Sequence, residues 1–584
     1  MRRSLRSLLL PLALRQRRRL RESEAAFILL ATIVGLAAGL LTNVQQALAH
    51  GLQQLFYGVT INRLSALGSI HHPWKLLALP IGGLLLILLS RLVRRRSRPL
   101  VDVVEANALH GGRIPPADNL VIAAQTIISN GAGASVGLEA AYAQVGGGAA
   151  SMLGQWLKLR RGDLRTLVGA GAGAAVGAAF GAPLTGAFYA FEIVIGNYTP
   201  AAIAPVMGAA LAAAFVTRAL GVEPYLLVSS AERTVTSVDY LLFALLGLLC
   251  AGLGILVMRL VTSTERRVQG WKILDGWRPL VGGLILMPIA LMSPQSLSAG
   301  HGALHLNLLL HPATTFLVVV LVLKIAASVI SLSFGFRGGL FFASLFLGSL
   351  VGQIYAQLLA LGPLGPMVDV TDAALVGMAA LSVAIVGGPM TLSILVLETT
   401  RDFGLMGVVL TASLVSSAFT REMFGYSFST WRLHLRGAGV RGPRDVGWAL
   451  DLNAGRLMRR DWVPVQADMT IAEFRMRIPL GSTSRAVMVD ADGHYGGIVP
   501  TAAAYRSDLD QATRIDALAT LRDATLQPTS GIEAILDRFD AAGADELAVV
   551  DPEGRVVGVV TERYARRRYL EEAETVRREA FRED

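Results

Sequence analysis

A single carboxylate, Glu139, lies in a glycine-rich and otherwise apolar stretch, "SNGAGASVGLEAAYAQVGGGAAS" over residues 129–151. A lone ionised side chain at membrane depth is costly and is usually functional. Glycine-flanked helix starts present backbone N–H groups that have no intrahelical partner, at the positive end of the helix dipole. Several such ends that face one cavity can bind an anion without a full positive charge. The stretch therefore predicts an anion site, with a tethered carboxylate that competes for it.

Two other segments predict helix starts of the same kind, "RRSRPLVDVVE" at 95–105 and "GFRGGLFFASLFLGSLVG" at 335–352. A further pair repeats within the chain: "APLTGAFYAFE" at 182–192 and "GPMTLSILVLE" at 388–398 share a proline, a threonine two residues later and a glutamate nine residues after the proline. Such a repeat indicates a duplicated membrane half, whose broken helices meet at mid-membrane.

The composition requires a membrane for these segments. Hydrophobic residues make up 53% of the 584 and charged residues 16%, against about a quarter charged in an ordinary soluble chain. Many runs between 25 and 436 reach the roughly 20 apolar residues that a spanning helix needs. Arginine clusters beside these runs explain the net charge of +10 without nucleic-acid binding, and they predict that both termini are cytoplasmic. We assign 1–24 to a basic N-terminal helix, with an organellar transit peptide as the alternative.

The chain changes character after a polar linker at 437–454, and we assign 455–584 to a soluble domain. "VMVDADGHYGGIVPT" recurs as "AVVDPEGRVVGVVT" with an offset of 61 residues, each unit predicting strand, Asp/Gly turn, strand and helix. This resembles a pair of CBS motifs, an α/β module. Nucleotide-binding CBS pairs usually carry a Ser or Thr and, three residues on, an Asp. Here Thr561 is followed by Tyr564, so the resemblance leaves Thr561 as a weak nucleotide contact and favours a structural or dimer-stabilising role.

The membrane region resembles the CLC family of chloride channels and proton/chloride exchangers. "GASVGLEAAYAQVGG" is similar to the family's glutamate motif, "GGLFFASLFLGSLVG" to its second anion-binding segment, and "APLTGAFYAFE" to the helix that follows the first. The resemblance implies a polytopic α-helical CLC fold with inverted repeats and broken helices. It also implies a homodimer that moves chloride or another small anion. The high Ala and Arg usage fits a bacterial inner or plasma membrane.

The resemblance implies roles for particular residues. Glu139 takes the place of the gating glutamate, and Ser97 that of the central serine. Tyr426 is our choice for the central tyrosine, with Ser429 as the alternative. The backbone segments that correspond to anion-coordinating amides comprise Gly137, Leu138, Ala140, Ala141, Leu340 and Phe341.

Three departures from the family pattern bear on mechanism. Leu138 replaces the usual cation before the gating glutamate, whereas Arg337 adds a cation near the second segment. We therefore hypothesise that Arg337 preserves the potential along the anion path. Ile193 stands where exchangers carry a second glutamate that relays protons, so passive chloride conduction is favoured and proton-coupled antiport is the alternative.

Other functions are less consistent with the sequence. A CBS-regulated magnesium transporter would need acids along its pore, an intramembrane enzyme would need a nucleophile–base pair, and a receptor-like relative would not transport. We therefore expect no enzymatic activity, no cofactor and no metal site. Of the remaining polar residues, we expect Glu192 and Glu398 to stabilise helix packing or a loop, Lys324 to snorkel or to pair internally, and His301 to lie in an external loop.

Overall fold

The computed structural model describes residues 23–59, 64–70, 72–93, 100–221, 235–271, 276–362, 368–435 and 452–581. The chain divides into two compact units, 1–445 and 446–584. Ser97, most of the predicted linker and nearly all of the predicted N-terminal helix lie outside the described residues.

The first unit is built from α-helices and short turns. Single turns of 3-10 helix occur at Leu64–Ala66, Pro73–Leu77 and Pro294–Ser296, and a π-helical turn at Ala190–Ile195. The helices are α1 (Glu24–Tyr57), α2 (Ala78–Val93), α3 (Val103–Leu109), α4 (Pro116–Gly131), α5 (Glu139–Trp156), α6 (Arg161–Phe180), α7 (Pro183–Tyr189), α8 (Pro200–Ala219), α9 (Ser237–Gly270), α10 (Arg278–Met292), α11 (His301–Leu310), α12 (Thr314–Ser333), α13 (Phe341–Leu359), α14 (Val370–Val386), α15 (Pro389–Thr400), α16 (Phe403–Met423) and α17 (Phe428–Leu435).

Seven helical stretches among the described residues are long and apolar enough to cross a membrane. The first of them, α1, has one buried face and one exposed face. It buries Phe27, Ala31 and Val34 against the rest of the unit and leaves Leu29 and Ile33 exposed. An exposed leucine face is stable in lipid, because hydrocarbon tails are as apolar as the side chain.

Glycines bring the innermost helices into close contact in the same way in both halves. A Cβ at Gly146 of α5 would overlap the carbonyl of Gly171 in α6, and one at Gly348 of α13 would overlap that of Gly377 in α14. Small residues at helix crossings allow the backbones to approach, which drives association where lipid supplies no hydrophobic force. The equivalent crossings are consistent with the predicted duplication.

Glu192 and Glu398 are the two glutamates of the short repeat. Glu398 caps α7, which begins at Pro183, and Glu192 caps α15, which begins at Pro389. The Glu398 carboxylate accepts from the backbone N–H of Leu184 (2.9 Å) and from the N–H and hydroxyl of Thr185 (2.8 and 2.7 Å). The Glu192 carboxylate accepts from Met390 N–H and from the N–H and hydroxyl of Thr391 in the same pattern. Both contacts agree with the expected packing role.

The second unit contains two three-stranded sheets of identical topology. In each, the first strand pairs parallel with the second and the second antiparallel with the third. Val487 pairs with Ile498, and 61 residues later Ala548 pairs with Val559, so the predicted repeat and its strand–turn–strand–helix order are confirmed. The elements are α18 (Ala454–Leu457), β1 (Pro464–Gln466), α19 (Ile471–Arg477), β2 (Arg485–Val489), β3 (Tyr495–Pro500), α20 (Thr501–Ala504), β4 (Thr525–Leu526), α21 (Ile532–Ala542), β5 (Glu546–Val550), β6 (Val556–Thr561) and α22 (Glu562–Phe581).

Candidate functional site

The loops that precede α5 and α13 pair with each other at the centre of the first unit. Gly137 N–H donates to Gly339 O (2.9 Å), and Gly339 N–H donates to Gly137 O (3.2 Å). Gly133 and Gly335 turn the two loops at φ values of 93° and 98°, which residues with a Cβ rarely adopt. The starts of α5 and α13 are thereby held side by side.

Two serines hold this arrangement from the helices before the loops. Ser331 Oγ accepts from Ser135 N–H (3.0 Å), while Ser129 Oγ accepts from Arg337 N–H (2.9 Å). A backbone N–H of each loop thus donates to a serine hydroxyl from the other half of the molecule. The exchange is reciprocal, so the two helix starts are related by approximate two-fold symmetry.

Glu139, the first residue of α5, places its carboxylate over this junction. The residue is 2% exposed, and within the described chain its two carboxylate oxygens meet no donor at ordinary hydrogen-bond geometry. The backbone N–H groups of Glu139 itself and of Phe342 face the carboxylate. A Cβ at Gly137 would overlap Oε2, so the carboxylate lies directly against the glycine of the paired loop. Two helix N-termini therefore share one buried acid.

A cavity of about 490 Å³ has Glu139 among the residues that line it. Its buried part is lined by Glu139, Tyr189 and Ile193, and Arg91 and Gln269 line a more exposed part. Side chains of both charges contribute to the wall, among them Asp102, Glu265, Arg278, Arg337 and Arg432. An ion pair between Arg432 and Glu265 (3.2 Å) lies within this wall.

The predicted anion-coordinating residues separate into two groups. Ala140, Leu340 and Phe341 line the cavity, and as the first residues of their helices they carry N–H groups without intrahelical acceptors. Gly137 and Ala141 do not fit their predicted role, because their N–H groups already donate to Gly339 O and to Leu138 O.

Leu138 is buried as the residue that caps α5 and is absent from the cavity wall. The usable amides are thus fewer than the sequence predicted.

The structure does not bring Tyr426 to the cavity. Its ring packs against Phe424, Trp431 and His434, and its hydroxyl lies 3.3 Å from His434 Nδ1. Ser429, the alternative, lines the cavity. Tyr426 lies in the turn before α17, which begins at Phe428, and the helix residues that line the cavity are Phe428, Ser429, Arg432 and Leu433.

Arg337 and Ile193 both line the cavity, as their predicted effects on the anion path require. The Arg337 guanidinium lies 3.4 Å from Gln125 Oε1, and its backbone is fixed by Ser129. Ile193 follows Glu192 within the π-helical turn. A cation and an apolar side chain therefore face the space below Glu139.

Sequence reasoning missed two residues of the site. Tyr189 lines the cavity, with its ring 6.1 Å from that of Phe341, and Glu139 and Asp102 are close enough to act electrostatically on its hydroxyl. His301, expected in an external loop, places Nε2 3.9 Å from Glu139 Oε1. A usable signal existed for His301, because "SAGHGALHL" is itself a glycine-flanked helix start.

In the second unit, Thr561 ends β6 and is half-buried beside the start of α22. Asp490, Asp492 and His494 bring potential metal-ligating atoms within 4.8 Å of one another on an exposed turn. Asp490 Oδ1 accepts from the N–H groups of Asp492 (2.9 Å) and His494 (2.8 Å), and the His494 bond lowers the pKa of Asp490. Turn formation therefore accounts for the cluster.

Residues 81–421 match the family model described as "Voltage gated chloride channel", and residues 517–571 match a CBS domain. The chain is 27% identical over 415 residues to a voltage-gated ClC-type chloride channel, ClcB, of Escherichia coli O157:H7 (strain EC4115 / EHEC), which covers 70% of this chain and 98% of that one.

Two solved structures share the fold. A slow cyanobacterial Cl⁻/H⁺ antiporter superposes with a TM-score of 0.61 at 23% identity, over 71% of this chain and 98% of its own. A eukaryotic CLC transporter superposes with a TM-score of 0.60 at 18% identity, over 92% of this chain and 97% of its own.

Proposed function

The chain belongs to the voltage-gated chloride channel family, and from this premise we propose that it is an anion pathway in which Glu139 is the gate. As a multi-pass CLC protein it carries out chloride transport. One observation supports the gate above all: Glu139 is buried, lies beside two paired helix starts and lines the cavity. When ionised it holds the place that an anion would take, and when protonated it leaves that place.

The anion path follows from the same geometry. We assign anion contacts to the N–H groups of Ala140, Leu340 and Phe341, since these line the cavity and begin their helices. Arg337 supplies the positive potential that the family's usual cation supplies at the position of Leu138. Ser429 or Tyr189 supplies the hydroxyl that was expected from Tyr426.

We favour passive conduction, because Ile193 cannot carry a proton and it lines the cavity where a relay acid would be needed. Proton-coupled antiport is the second candidate. Asp102 supports it, since this acid lies in the cavity wall close to Tyr189 and offers protons another route. A solved relative described as a Cl⁻/H⁺ antiporter shares the fold.

We further propose a homodimer in the bacterial cell membrane, with both termini cytoplasmic. The CBS pair would stabilise this dimer without binding nucleotide, because Ala503 in the first repeat and Tyr564 in the second stand where nucleotide-binding pairs usually carry an Asp. No enzymatic step and no cofactor enter this mechanism.

Reconstituted vesicles separate the two candidates. A chloride gradient is imposed across vesicles that contain the protein, and internal pH is followed with a trapped dye. Proton uptake against its own gradient, driven by chloride, would establish antiport, whereas chloride flux without proton movement would establish a channel. Glu139→Gln is expected to conduct at a rate that no longer depends on pH. If its flux keeps the parent's pH dependence, Glu139 is not the titrating gate.

A further inference from the structure

His301 approaches the gate from outside the cavity. Its Nε2 lies 3.9 Å from Glu139 Oε1, and its ring stacks on Phe342 with 3.5 Å between centroids. Phe342 N–H faces the same carboxylate. Glu139 lines the cavity, whereas His301 is not among the lining residues. The side chain remains 14% exposed.

Lys324 ties the His301 loop to the gate loop. This fully buried lysine donates from Nζ to Ser298 O (2.6 Å) and Ser296 O (3.2 Å). Ser298 N–H then donates to Gly133 O (3.0 Å), in the loop that leads to Glu139. The approach of the imidazole to the carboxylate is thus set by a chain of buried hydrogen bonds.

The start of α11 is fixed on its other side as well. Ser65 Oγ accepts from Gly302 N–H (3.0 Å) and Ala303 N–H (3.3 Å). Two of the first amides of the helix are thereby satisfied, and the His301 side chain is directed by a rigid turn.

Few titratable groups face His301 from the elements packed around it. The turn at Leu64–Ala66 carries none, and α13 carries only Tyr355, whose hydroxyl donates to Leu242 O. Lys324 of α12 donates to the carbonyl oxygens of Ser296 and Ser298, which precede α11. On α11 itself, His305 is exposed. Among the described residues, Glu139 is therefore the acid that faces the imidazole.

We propose that His301 is the proton-transfer partner of Glu139 on the side away from the cavity. The imidazolium gives its Nε2 proton to Glu139 Oε1, directly after a small side-chain rotation or through one water. The neutral imidazole then regains a proton from the solution that reaches its exposed edge. Atoms and charge balance, since one proton moves from solution to the gate. This role rests on the proposed function of Glu139 and holds for either a channel or an antiporter.

The test measures how fast chloride flux rises in full-length protein in vesicles after a drop in pH on the His301 side. His301→Phe keeps a ring against Phe342 but cannot carry a proton. Because general acid–base groups typically contribute 10²- to 10⁴-fold, the activation rate is expected to fall at least tenfold. His305→Gln, one turn along the same helix, is the matched control and is expected to match the parent.

Chemical rescue distinguishes proton transfer from a structural role. In His301→Ala, added imidazole is expected to restore the activation rate, which a packing defect would not allow. A parent-like rate in His301→Phe, or no rescue in a slow His301→Ala, would overturn the inference. With Glu139→Gln in the background, His301→Phe is expected to change nothing. Vesicles of the parent protein that pass no chloride would instead refute the proposed function.

Discussion

The contact between Gly137 and the gate carboxylate predicts that Gly137→Ala opens the pathway. A Cβ at this position would lie 2.9 Å from Glu139 Cδ and closer still to Oε2. Ordinary carbon contacts are about 3.5–4.0 Å, so the carboxyl group must move away by roughly 0.6–1.1 Å at Cδ and by more at Oε2. Gly137 has no positive φ, and its hydrogen bonds with Gly339 use the backbone alone. The substitution therefore displaces the gate while leaving the loop intact.

The displaced carboxylate loses part of its attraction to the two helix N-termini. Each end stabilises a nearby anion by about 0.3–1 kcal/mol, and by about 2 kcal/mol in partly buried geometry. A loss of about 1–2 kcal/mol lowers the closed-to-open ratio by roughly 5- to 30-fold. Chloride flux at pH 7.5 is expected to rise accordingly, with a smaller increase at pH 4.5, where the parent gate is already protonated.

The assay is chloride efflux from vesicles at both pH values. Gly252→Ala is the control, because a Cβ there meets no atom within 4 Å. In a Glu139→Gln background the Gly137 substitution is expected to add nothing. If Gly137→Ala keeps the parent's ratio of fluxes at the two pH values, the carboxylate does not occupy the anion's place.

Substitutions at three further positions test the electrostatics and the caps. Arg337→Ala is expected to weaken chloride binding, measured by calorimetry, about tenfold, which is equivalent to about 1.4 kcal/mol. Arg337→Lys should retain most of the affinity. Unchanged binding in the alanine variant would refute the hypothesis that Arg337 compensates for Leu138. Glu192→Gln and Glu398→Gln each remove the charge from three hydrogen bonds, so each is expected to cost about 1.5–3 kcal/mol of stability, seen as earlier thermal unfolding in detergent. Parent-like unfolding together with altered proton movement in Glu192→Gln would assign it a proton role instead.

The sequence predicted the features that depend on local pattern. Apolar runs, the repeated Pro–Thr–Glu spacing and the offset of the CBS units each report on one segment or on a simple comparison of two. It was less successful where a residue's role depends on what lies opposite. The N–H groups of Gly137 and Ala141 could be judged only once their acceptors were known. Tyr426 precedes the first residue of α17 and packs against Trp431 and His434, a side-chain contact that the local sequence pattern does not encode.

The two helix starts at the proposed gate are related by approximate two-fold symmetry, and Glu139 occurs in only one of them. The two paired loops exchange equivalent hydrogen bonds, yet one helix begins with Glu139 and the other with Phe341. Two helix N-termini attract an anion, but only one of them carries a tethered anion that can fill the place. The carboxylate must therefore bind well enough to close the path and weakly enough to leave. The absence of good hydrogen bonds to its oxygens within the described chain keeps that balance, because a fully satisfied acid would cap the helix permanently. Arg337 lines the same cavity as this acid and His301 does not. In the proposed mechanism, Arg337 attracts the ion and His301 exchanges the proton of the acid.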